Sequence, residues 1–555
     1  MKKFLLFFFL CLLLGFTQAS GSDLYSEFLD RGIRNSETCS YSLIEQAKTR
    51  QSEAESILKQ ALKCSPDLPA TYFELAKANF ALTPENVFTS LNYTLQGIAA
   101  YQRNFWWAFM AVSSVFWSLV LSFILSILIV SAIKLPQDIP LLSHDLREDR
   151  TTLMLLSIFI FALFGPLYFL GSLLMLTSFY MKKSNKVAVI LYLIFLLSSP
   201  WIFKAISLSL NAPTLAELKA VVQVNESKGS GYALSVLKDR DHPTELFSYA
   251  LALKRDGRYL EAIKAYNNLI SKRKDPRAYN NLANCYVAVG DFEKAKELYK
   301  KSIEIEPHVS SLYNLSQVYR ETFDFDNGEK YFLAAQQADF AAVSSFRATH
   351  SRNPNRFVID ESLPLQAVWD YTRDKIGEYS TMGLSTVPHT VIPVIAVLMG
   401  VLFYILDRRF KNRAYRCHRC GKILCNKCEK HILWGHMCLQ CYRSLVKLDE
   451  LDSKERIARL LTVYDYRKKR KNIIKVLSLI LPGSGQIYAG STLYGLVFLW
   501  SFLFFLFVPL MNSIFDIGMY NSSHLWLTII SLFLAVVLYV ACNILTRRRL
   551  AKGWL

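Results

Sequence analysis

Six of the eleven cysteines lie within 25 residues of one another, at spacings that favour metal ligation over disulfide bonding. The outer pairs are Cys417-x2-Cys420 and Cys438-x2-Cys441, and 17 residues separate them. A Cys-x2-Cys turn directs two sulfurs toward one tetrahedron, and two such turns make a closed structural zinc site. The sequence therefore predicts one Zn²⁺ that folds its segment instead of performing chemistry.

An inner group of possible ligands leaves the pairing open. It consists of Cys425, Cys428, His431 and His436, and its His-x4-His spacing suits a second zinc ion. A cross-braced alternative joins Cys417 and Cys420 to the two histidines. The segment resembles short treble-clef or cross-brace fingers in general. A catalytic zinc would keep an open coordination position, and eight available ligands leave none obviously free.

A glycine-rich run interrupts a later apolar stretch. No Gly-Lys-Ser/Thr follows it, so it is not a phosphate loop, and it does not fit a dinucleotide fingerprint. It resembles the Pro-Gly-x-Gly-Gln-x-Tyr-x-Gly signature of small bacterial membrane hairpins, akin to the two-helix membrane domain, over 473–545. We expect a turn with close helix packing rather than a ligand site. The residues concerned are Pro482, Gly483, Gly485, Gln486, Tyr488 and Gly490.

A period of 33 residues runs through the polar region 211–345. Small residues recur at Ala262, Ala295 and Gly328, and aromatic residues recur four positions further on. Such a step predicts stacked helical hairpins, each of which buries its apolar face only against its neighbours. The best copy resembles the tetratricopeptide repeat at Tyr279, Leu282, Ala283, Tyr286, Gly290, Ala295, Tyr299 and Pro307.

The resemblance to tetratricopeptide repeats covers 243–341, and loosely 50–100. It implies a helical solenoid whose concave groove binds a peptide or protein. The copies that flank the best one are weaker, and Phe323 stands where the family has a turn glycine.

Long apolar blocks predict a membrane protein. Lys2 and Lys3 precede a short apolar run, which is typical of a signal peptide or signal anchor over 1–19. The blocks 105–133, 151–181, 187–210 and 388–406, together with 473–545, are long enough to cross ~30 Å of hydrocarbon. The predicted fold is an all-α multi-domain membrane protein with a helical-hairpin solenoid, about five to six transmembrane segments and a small zinc finger.

The predicted domains follow one another without overlap. They are a signal segment at 1–19, a repeat-like segment at 20–104, a membrane block at 105–210, repeats at 211–345, a linker or capping helix at 346–387, a transmembrane helix at 388–406, the cysteine cluster at 407–446, a basic helix at 447–472, a membrane hairpin at 473–545 and a basic tail at 546–555. We expect a helix from Leu363 to Tyr379 to dock on the last repeat.

Charge predicts the orientation. The stretch 407–471 carries 19 Lys and Arg against 7 Asp and Glu, which is +12 of the chain's +19. Basic segments beside membrane helices are normally cytoplasmic. We therefore expect lipid headgroups as partners in preference to nucleic acid, a cytoplasmic zinc segment and C-terminus, and periplasmic repeats in a bacterial inner membrane. This arrangement requires one block of 105–210 not to cross, and Gly165-Pro166 makes the second block a candidate re-entrant hairpin.

The functional prediction is a scaffold or adaptor that binds proteins through its repeats. The sequence contains no His-Glu-x-x-His or Gly-x-Ser-x-Gly motif, so we predict no enzyme. The alternatives are a component of an envelope transport, export or assembly system and, less favoured, a zinc-dependent enzyme or redox sensor. Cys39 and Cys64 are either a disulfide in an exported segment or two buried thiols. His144 and its acidic neighbours are expected to form a solvated loop.

Overall fold

The computed structural model describes residues 29, 32–146, 148–352, 357–377, 391–409, 413–425, 437–445, 453–515 and 525–552. These residues form helices and one two-stranded ribbon, which confirms the predicted all-α class. The predicted signal segment at 1–19 lies outside the described residues.

Two helical hairpins form the N-terminal segment. Proline occupies the first turn of the third and fourth helices, where its missing N–H costs no helical hydrogen bond. Cys39 and Cys64 are joined in a disulfide that links the first two helices, with a Cα–Cα distance of 6.1 Å. The four helices are α1 (Glu37–Thr49), α2 (Ala54–Cys64), α3 (Pro69–Ala78) and α4 (Pro84–Ala100).

Five helices replace the three predicted apolar blocks of 105–210. The first continues well past 133, and its last turn includes His144 and Asp145 of the expected solvated loop, whereas Glu148 and Asp149 lie at the start of the next helix. Gly165, at a φ of +128°, divides the second block, and the third bends by 57° at Ser198. The helices are α5 (Phe105–Leu146), α6 (Glu148–Leu163), α7 (Pro166–Ser178), α8 (Val187–Leu197) and α9 (Ser199–Asn211).

The repeat region consists of antiparallel helix pairs. Asp275, Asp291 and Asp324 each accept a backbone N–H at the start of a helix, as N-capping residues do. The helices are α10 (Ala216–Asn225), α11 (Gly231–Val236), α12 (Pro243–Arg255), α13 (Tyr259–Lys272), α14 (Pro276–Ala288), α15 (Phe292–Ile305), α16 (Val309–Glu321), α17 (Phe325–Ala338), α18 (Phe340–Arg352) and α19 (Leu365–Gly377).

The C-terminal part contains the ribbon and the last helices. Strand β1 (Tyr415–Arg416) pairs antiparallel with β2 (Ile423–Leu424). One helix runs through the predicted domain boundary at 472, so the basic helix and the start of the hairpin are continuous. The helices are α20 (Ile392–Arg409), α21 (Leu439–Leu445), α22 (Ser453–Ile480), α23 (Ser484–Tyr488), α24 (Thr492–Phe515) and α25 (Leu525–Ala551).

The chain divides into two compact units. The first contains the described residues up to Phe109 and those of Leu208–Glu378, and the second contains those of Met110–Ser207, Tyr379–Asp516 and His524–Leu555. In the first unit, one core runs through the repeats and includes Tyr266 and Tyr299. In the second, apolar residues of α5, α7, α8, α20 and α24 pack together.

Within the part of the chain that the structure describes, three helices are long and apolar enough to cross a membrane: α5, α24 and α25. A fourth span results if the bent pair α8 and α9 counts as one. The number is smaller than the predicted five to six because breaks shorten two blocks and because α20, which corresponds to the block 388–406, has 18 residues that include Asp407, Arg408 and Arg409. Of the helices in those blocks, α7 has only 13 residues, about 20 Å at 1.5 Å per residue, which is too short to span.

The helix after the repeats packs elsewhere than predicted. It was expected on the last repeat, but α19 lies against α10 and α12 at the opposite end of the repeat row. The Tyr371 hydroxyl donates to Glu245 at 2.6 Å, and Lys375 pairs with the same carboxylate at 3.1 Å. The reason is the path of the preceding segment, which runs back along the repeats before the helix begins.

Candidate functional site

Four cysteine sulfurs converge in the C-terminal part of the second unit. The Sγ atoms of Cys417, Cys420, Cys438 and Cys441 all lie within 4.8 Å of one another, and three of these residues are fully buried. The Cys420 and Cys438 sulfurs are 3.7 Å apart. Zinc–sulfur bonds of about 2.3 Å in a tetrahedron require sulfurs ~3.8 Å apart, so the four cysteines suit a metal ion.

Local structure brings each cysteine pair together. The β1–β2 turn positions the first pair, and the Cys417 amide donates to the Lys422 carbonyl at 2.8 Å. The second pair lies at the start of α21, and the Cys438 amide donates to the Cys417 sulfur at 3.4 Å. Backbone amides aimed at sulfur stabilise the thiolate that a metal needs.

The pKa values of the cysteine thiols reflect the close packing of the four sulfurs. A hydrogen bond with the Cys441 thiol lowers the pKa of Cys417 to about 4. Burial raises the pKa of Cys438 to about 11. Sulfurs at these distances repel one another when they are ionised unless a cation lies between them, so the four cysteines are compatible with a metal site.

Only part of the predicted ligand set can be placed. The four sulfurs that converge are those of the two outer pairs, as in the zinc-ribbon pairing. Cys425 is described and buried but does not belong to the group of four. Cys428, His431 and His436 lie outside the described residues, so the second ion stays a prediction.

Neighbouring helices hold the cysteine cluster in place within its unit. Val463 of α22 packs against the cysteines, and the Tyr466 ring approaches Gly421 so closely that a Cβ there would lie 2.4 Å from a ring carbon. The Ala414 amide donates to both carboxylate oxygens of Asp145 at 3.0 Å. Asp145, which was expected in a solvated loop, therefore lies at the end of α5 and binds the finger.

The glycine-rich run forms a tight turn between α22 and α24. A Cβ at Gly483 would lie 2.3 Å from the Gly495 carbonyl oxygen, and one at Gly485 would lie 2.0 Å from the Ser478 hydroxyl. The Gln486 amide is buried and donates to Thr546 of α25 at 2.6 Å. Pro482 is buried, whereas Tyr488 and Gly490 are half-buried.

The predicted repeat positions fall in the packing of α14 and α15. Leu282, Ala283, Ala295 and Tyr299 are buried, Tyr279 and Tyr286 are half-buried, and Pro307 is exposed after α15. Gly290 has a φ of +84° in the turn between the helices. Phe323 occupies the equivalent turn of the next hairpin with a φ of +60°, and its ring is 82% exposed.

The first helices of successive hairpins face an extended segment of the chain itself, Phe357–Leu363, which we call the groove segment. It precedes α19 and contains neither helix nor strand. Asn314 donates to the Ile359 carbonyl at 2.8 Å and accepts the Ile359 amide at 2.7 Å. Asn281 bonds Glu361 in the same two-way manner, at 2.7 and 2.8 Å.

Further asparagines extend this row. Asn280 and Asn284 both donate to the Ile359 carbonyl, at 3.1 and 2.9 Å. Asn225 of α10 accepts the Leu363 amide at 2.8 Å. The groove segment is therefore bound mainly through its backbone.

The repeats also bind one acidic side chain of the groove segment directly. Asp360 forms an ion pair with Lys254 and accepts a hydrogen bond from Asn284 at 2.8 Å. Burial alone raises the pKa of Asp360, but Lys254, Arg255 and the hydrogen bonds outweigh it and hold the pKa at about 2. The carboxylate is thus charged and compensated in a mostly buried position.

These asparagines were missed by sequence reasoning, although a signal exists. Asn281 and Asn314 lie 33 residues apart, which is one repeat period, on the first helices of consecutive hairpins, and both are fully buried. Buried asparagines need partners, so their recurrence at the repeat period indicates a polar ligand along the groove.

The comparisons with known proteins agree with this geometry. Family models of the tetratricopeptide repeat match residues 276–309 and 309–341, so these hairpins are tetratricopeptide repeats. The molecule thus contains tetratricopeptide repeats together with apolar helices of membrane-spanning length and a four-cysteine cluster.

Particular relatives match over limited lengths. Mitochondrial import receptor subunit TOM70 of Saccharomyces cerevisiae is 42% identical over 71 residues, which are 12% of this chain and 12% of the receptor. Photosystem I assembly protein Ycf3 of Acaryochloris marina is 28% identical over 126 residues, 20% of this chain and 75% of Ycf3. Ycf3 of Rippkaea orientalis is 31% identical over 94 residues, 16% of this chain and 54% of Ycf3.

Proposed function

We propose that this protein is a membrane-anchored adaptor that binds other proteins through its tetratricopeptide repeats. The observation that carries the proposal is the combination, in one chain, of matched repeats with three helices of membrane-spanning length. The protein-interaction role comes from the repeats, and the anchor comes from α5, α24 and α25.

The proposed topology places the repeats outside and the cysteine cluster in the cytoplasm of a bacterial inner membrane. The N-terminal helices and the repeats belong to the same compact unit, which requires an even number of crossings between them. A crossing by α5, a re-entrant α6–α7 hairpin and a crossing by the bent α8–α9 pair satisfy this requirement. The Cys39–Cys64 disulfide is consistent with an oxidising compartment for that unit.

Ion pairs within the second unit support the proposal that the basic loop before α8 and the finger lie on the same side of the membrane. Lys186 in the loop before α8 pairs with Asp407 at the end of α20. Asp407 also accepts from Arg413, just before β1, at 2.6 Å. In the proposed topology, α20 crosses the membrane and so returns the chain from the repeats to the cytoplasmic side.

Zinc is the metal we assign to the four cysteines, with a structural role. Cys417, Cys420, Cys438 and Cys441 would hold it, and its binding would supply much of the folding energy of a segment whose described residues form a two-stranded ribbon and a short helix. We propose that the folded finger contacts a cytoplasmic partner or lipid headgroups.

A second function is a component of an envelope transport, export or assembly system. The observation that favours it is that the matched relatives are an import receptor subunit and an assembly protein. Both functions use the repeats for binding, and they differ in the partner.

Photocrosslinking in the full-length protein tests the adaptor function. A photoreactive residue replaces Phe325, which is 63% exposed on α17, and a matched probe replaces Leu461, which is 58% exposed on α22. We expect discrete crosslinked proteins from the repeat position that differ from those of the α22 position. Absence of any protein adduct from the repeat position, in a chain that is correctly folded, contradicts the proposal.

A further inference from the structure

The repeat groove already contains a ligand-like segment of the same chain. Asn281 and Asn314 pair with both polar backbone groups of Glu361 and Ile359, as a partner strand would in a sheet. Such bonds depend on an extended backbone and not on the identity of the bound residues. Any extended peptide that enters the groove therefore meets the same donors and acceptors.

Side-chain contacts restrict which peptide fits. Lys254 is only 12% exposed, and its charge is balanced by Asp360. A buried cation that loses its partner is strongly destabilised, so an occupant without a carboxylate at this position is disfavoured. The Ser310 hydroxyl donates to Glu361, which favours a second acidic residue beside the first.

Apolar positions flank the acidic pair. Phe357, Val358 and Leu363 pack against the main core of the repeats, and Ile359 packs against the cluster that contains Tyr313. The preferred occupant is thus an extended peptide in which two neighbouring acidic residues lie between apolar ones.

We propose that the groove segment is an internal ligand, and that an extended acidic peptide of a protein partner binds only after displacing it. The proposal rests on the adaptor function and adds the partner's chemistry and a means of regulation. Tethering gives the internal segment an effective concentration on the order of mM, so weak peptides are excluded and only a well-matched partner competes.

The test uses the full-length protein in detergent and a fluorescent peptide with the sequence of residues 357–363. In Asp360→Lys, the tethered segment faces Lys254 with a like charge, whereas the added peptide still supplies the aspartate. The matched control is Asp370→Lys, which reverses an acidic side chain that is 48% exposed on α19. A peptide with lysine in place of the aspartate completes the set.

We expect the peptide to bind Asp360→Lys at least about tenfold more tightly than it binds the wild type or Asp370→Lys, because the tethered competitor is weakened. The lysine-containing peptide should not bind Asp360→Lys. A further change of Asn314→Ala in that variant should weaken binding again, since both bonds to the bound backbone are lost.

Hydrogen exchange in the wild type provides a second measurement that requires no variant. Saturating peptide should accelerate exchange of the Ile359 and Glu361 amides, which Asn314 and Asn281 otherwise protect. Equal peptide affinity of all variants, or bound peptide with unchanged protection, overturns the internal-ligand proposal. Discrete crosslinked partners at Phe325 would then still support the adaptor function, so the two failures are distinguishable.

Discussion

At the scale of single residues, asparagines bind the groove segment and four cysteines form the candidate metal site. An asparagine side chain offers one acceptor and two donors, so it can satisfy both the N–H and the C=O of a backbone residue that lacks secondary structure. Asn281 and Asn314 do this for the groove segment. Without such partners, the half-buried backbone of that segment would lose hydrogen bonds to water and gain none.

The low pKa of Asp360 predicts acid sensitivity of the first unit. The carboxylate has a pKa of about 2 in the folded chain against an ordinary value of 3.8. Its charged form therefore stabilises the fold above about pH 4, and this contribution is lost as the pH falls toward 2. The difference in pKa corresponds to about 2 kcal/mol.

Asp360→Asn isolates this effect. The variant should be less stable than the wild type by about 2 kcal/mol at pH 6, and the difference should disappear near pH 2. Unfolding followed by far-ultraviolet circular dichroism at several pH values measures it. A difference that stays constant with pH would show that the carboxylate charge contributes nothing.

Removal of one cluster cysteine should abolish metal binding. Cys417→Ser takes away a buried sulfur of the group of four, and elemental analysis of the purified protein should then find no zinc at this centre. Cys285→Ser is the matched control, because Cys285 is a fully buried thiol of the repeats and belongs to neither group of predicted ligands. Zinc retained in full by Cys417→Ser would mean that other residues hold the ion.

At the scale of helices, breaks determine what each apolar stretch becomes. Gly165 divides one predicted block into two helices, and the turn at Gly483, with a φ of +94°, ends α22. That turn allows α23 and α24 to approach at backbone distance, since a Cβ at Gly495 would lie 2.5 Å from the Gly483 carbonyl oxygen. Only glycine provides both the left-handed backbone and the space.

Gly485→Ala should disturb this packing. The added Cβ would overlap the Ser478 hydroxyl and lie 2.6 Å from the Ile474 carbonyl oxygen of α22, so we expect a loss of about 1–3 kcal/mol. Thermal unfolding of the detergent-solubilised protein measures the change. Gly400→Ala on α20 serves as control, because its Cβ would be 3.4 Å from the Leu193 side chain. Equal melting temperatures for both variants would contradict this role of Gly485.

At the scale of the whole molecule, the division into two units constrains the topology. One unit combines the N-terminal helices with the repeats, and the other combines the apolar helices with the cysteine cluster. Because the N-terminal helices and the repeats belong to one compact unit, they must lie on the same side of the bilayer. Labelling one position in the repeats and one in the basic loop therefore decides the proposed orientation.

Cysteine accessibility in intact cells tests that orientation. Ser184→Cys lies in the basic loop before α8 and Lys300→Cys lies on α15, and the signal of the wild type is subtracted. With a reagent that does not cross membranes, we expect labelling at 300 and none at 184 until the cells are permeabilised. Protection of residue 300 in intact cells would reverse the proposed placement of the repeats.

Some features of this protein follow from the sequence alone because they are encoded by neighbouring residues. The repeat period predicts the hairpins, since packing positions recur once per hairpin, and the family models match there. The Cys-x2-Cys pairs indicate a metal site, because each turn is a local structure. The apolar length of α5, α24 and α25 likewise requires no knowledge of the fold.

Only the tertiary structure decided which distant residues meet. The sequence left several cysteine pairings open, and the chain path joins Cys417 and Cys420 with Cys438 and Cys441. It also brings Ile359 to asparagines 45 to 79 residues earlier and so directs α19 to the far end of the repeats. The groove segment itself has no periodic pattern that would locate it in the sequence, because most of its hydrogen bonds to the repeats are made by its backbone.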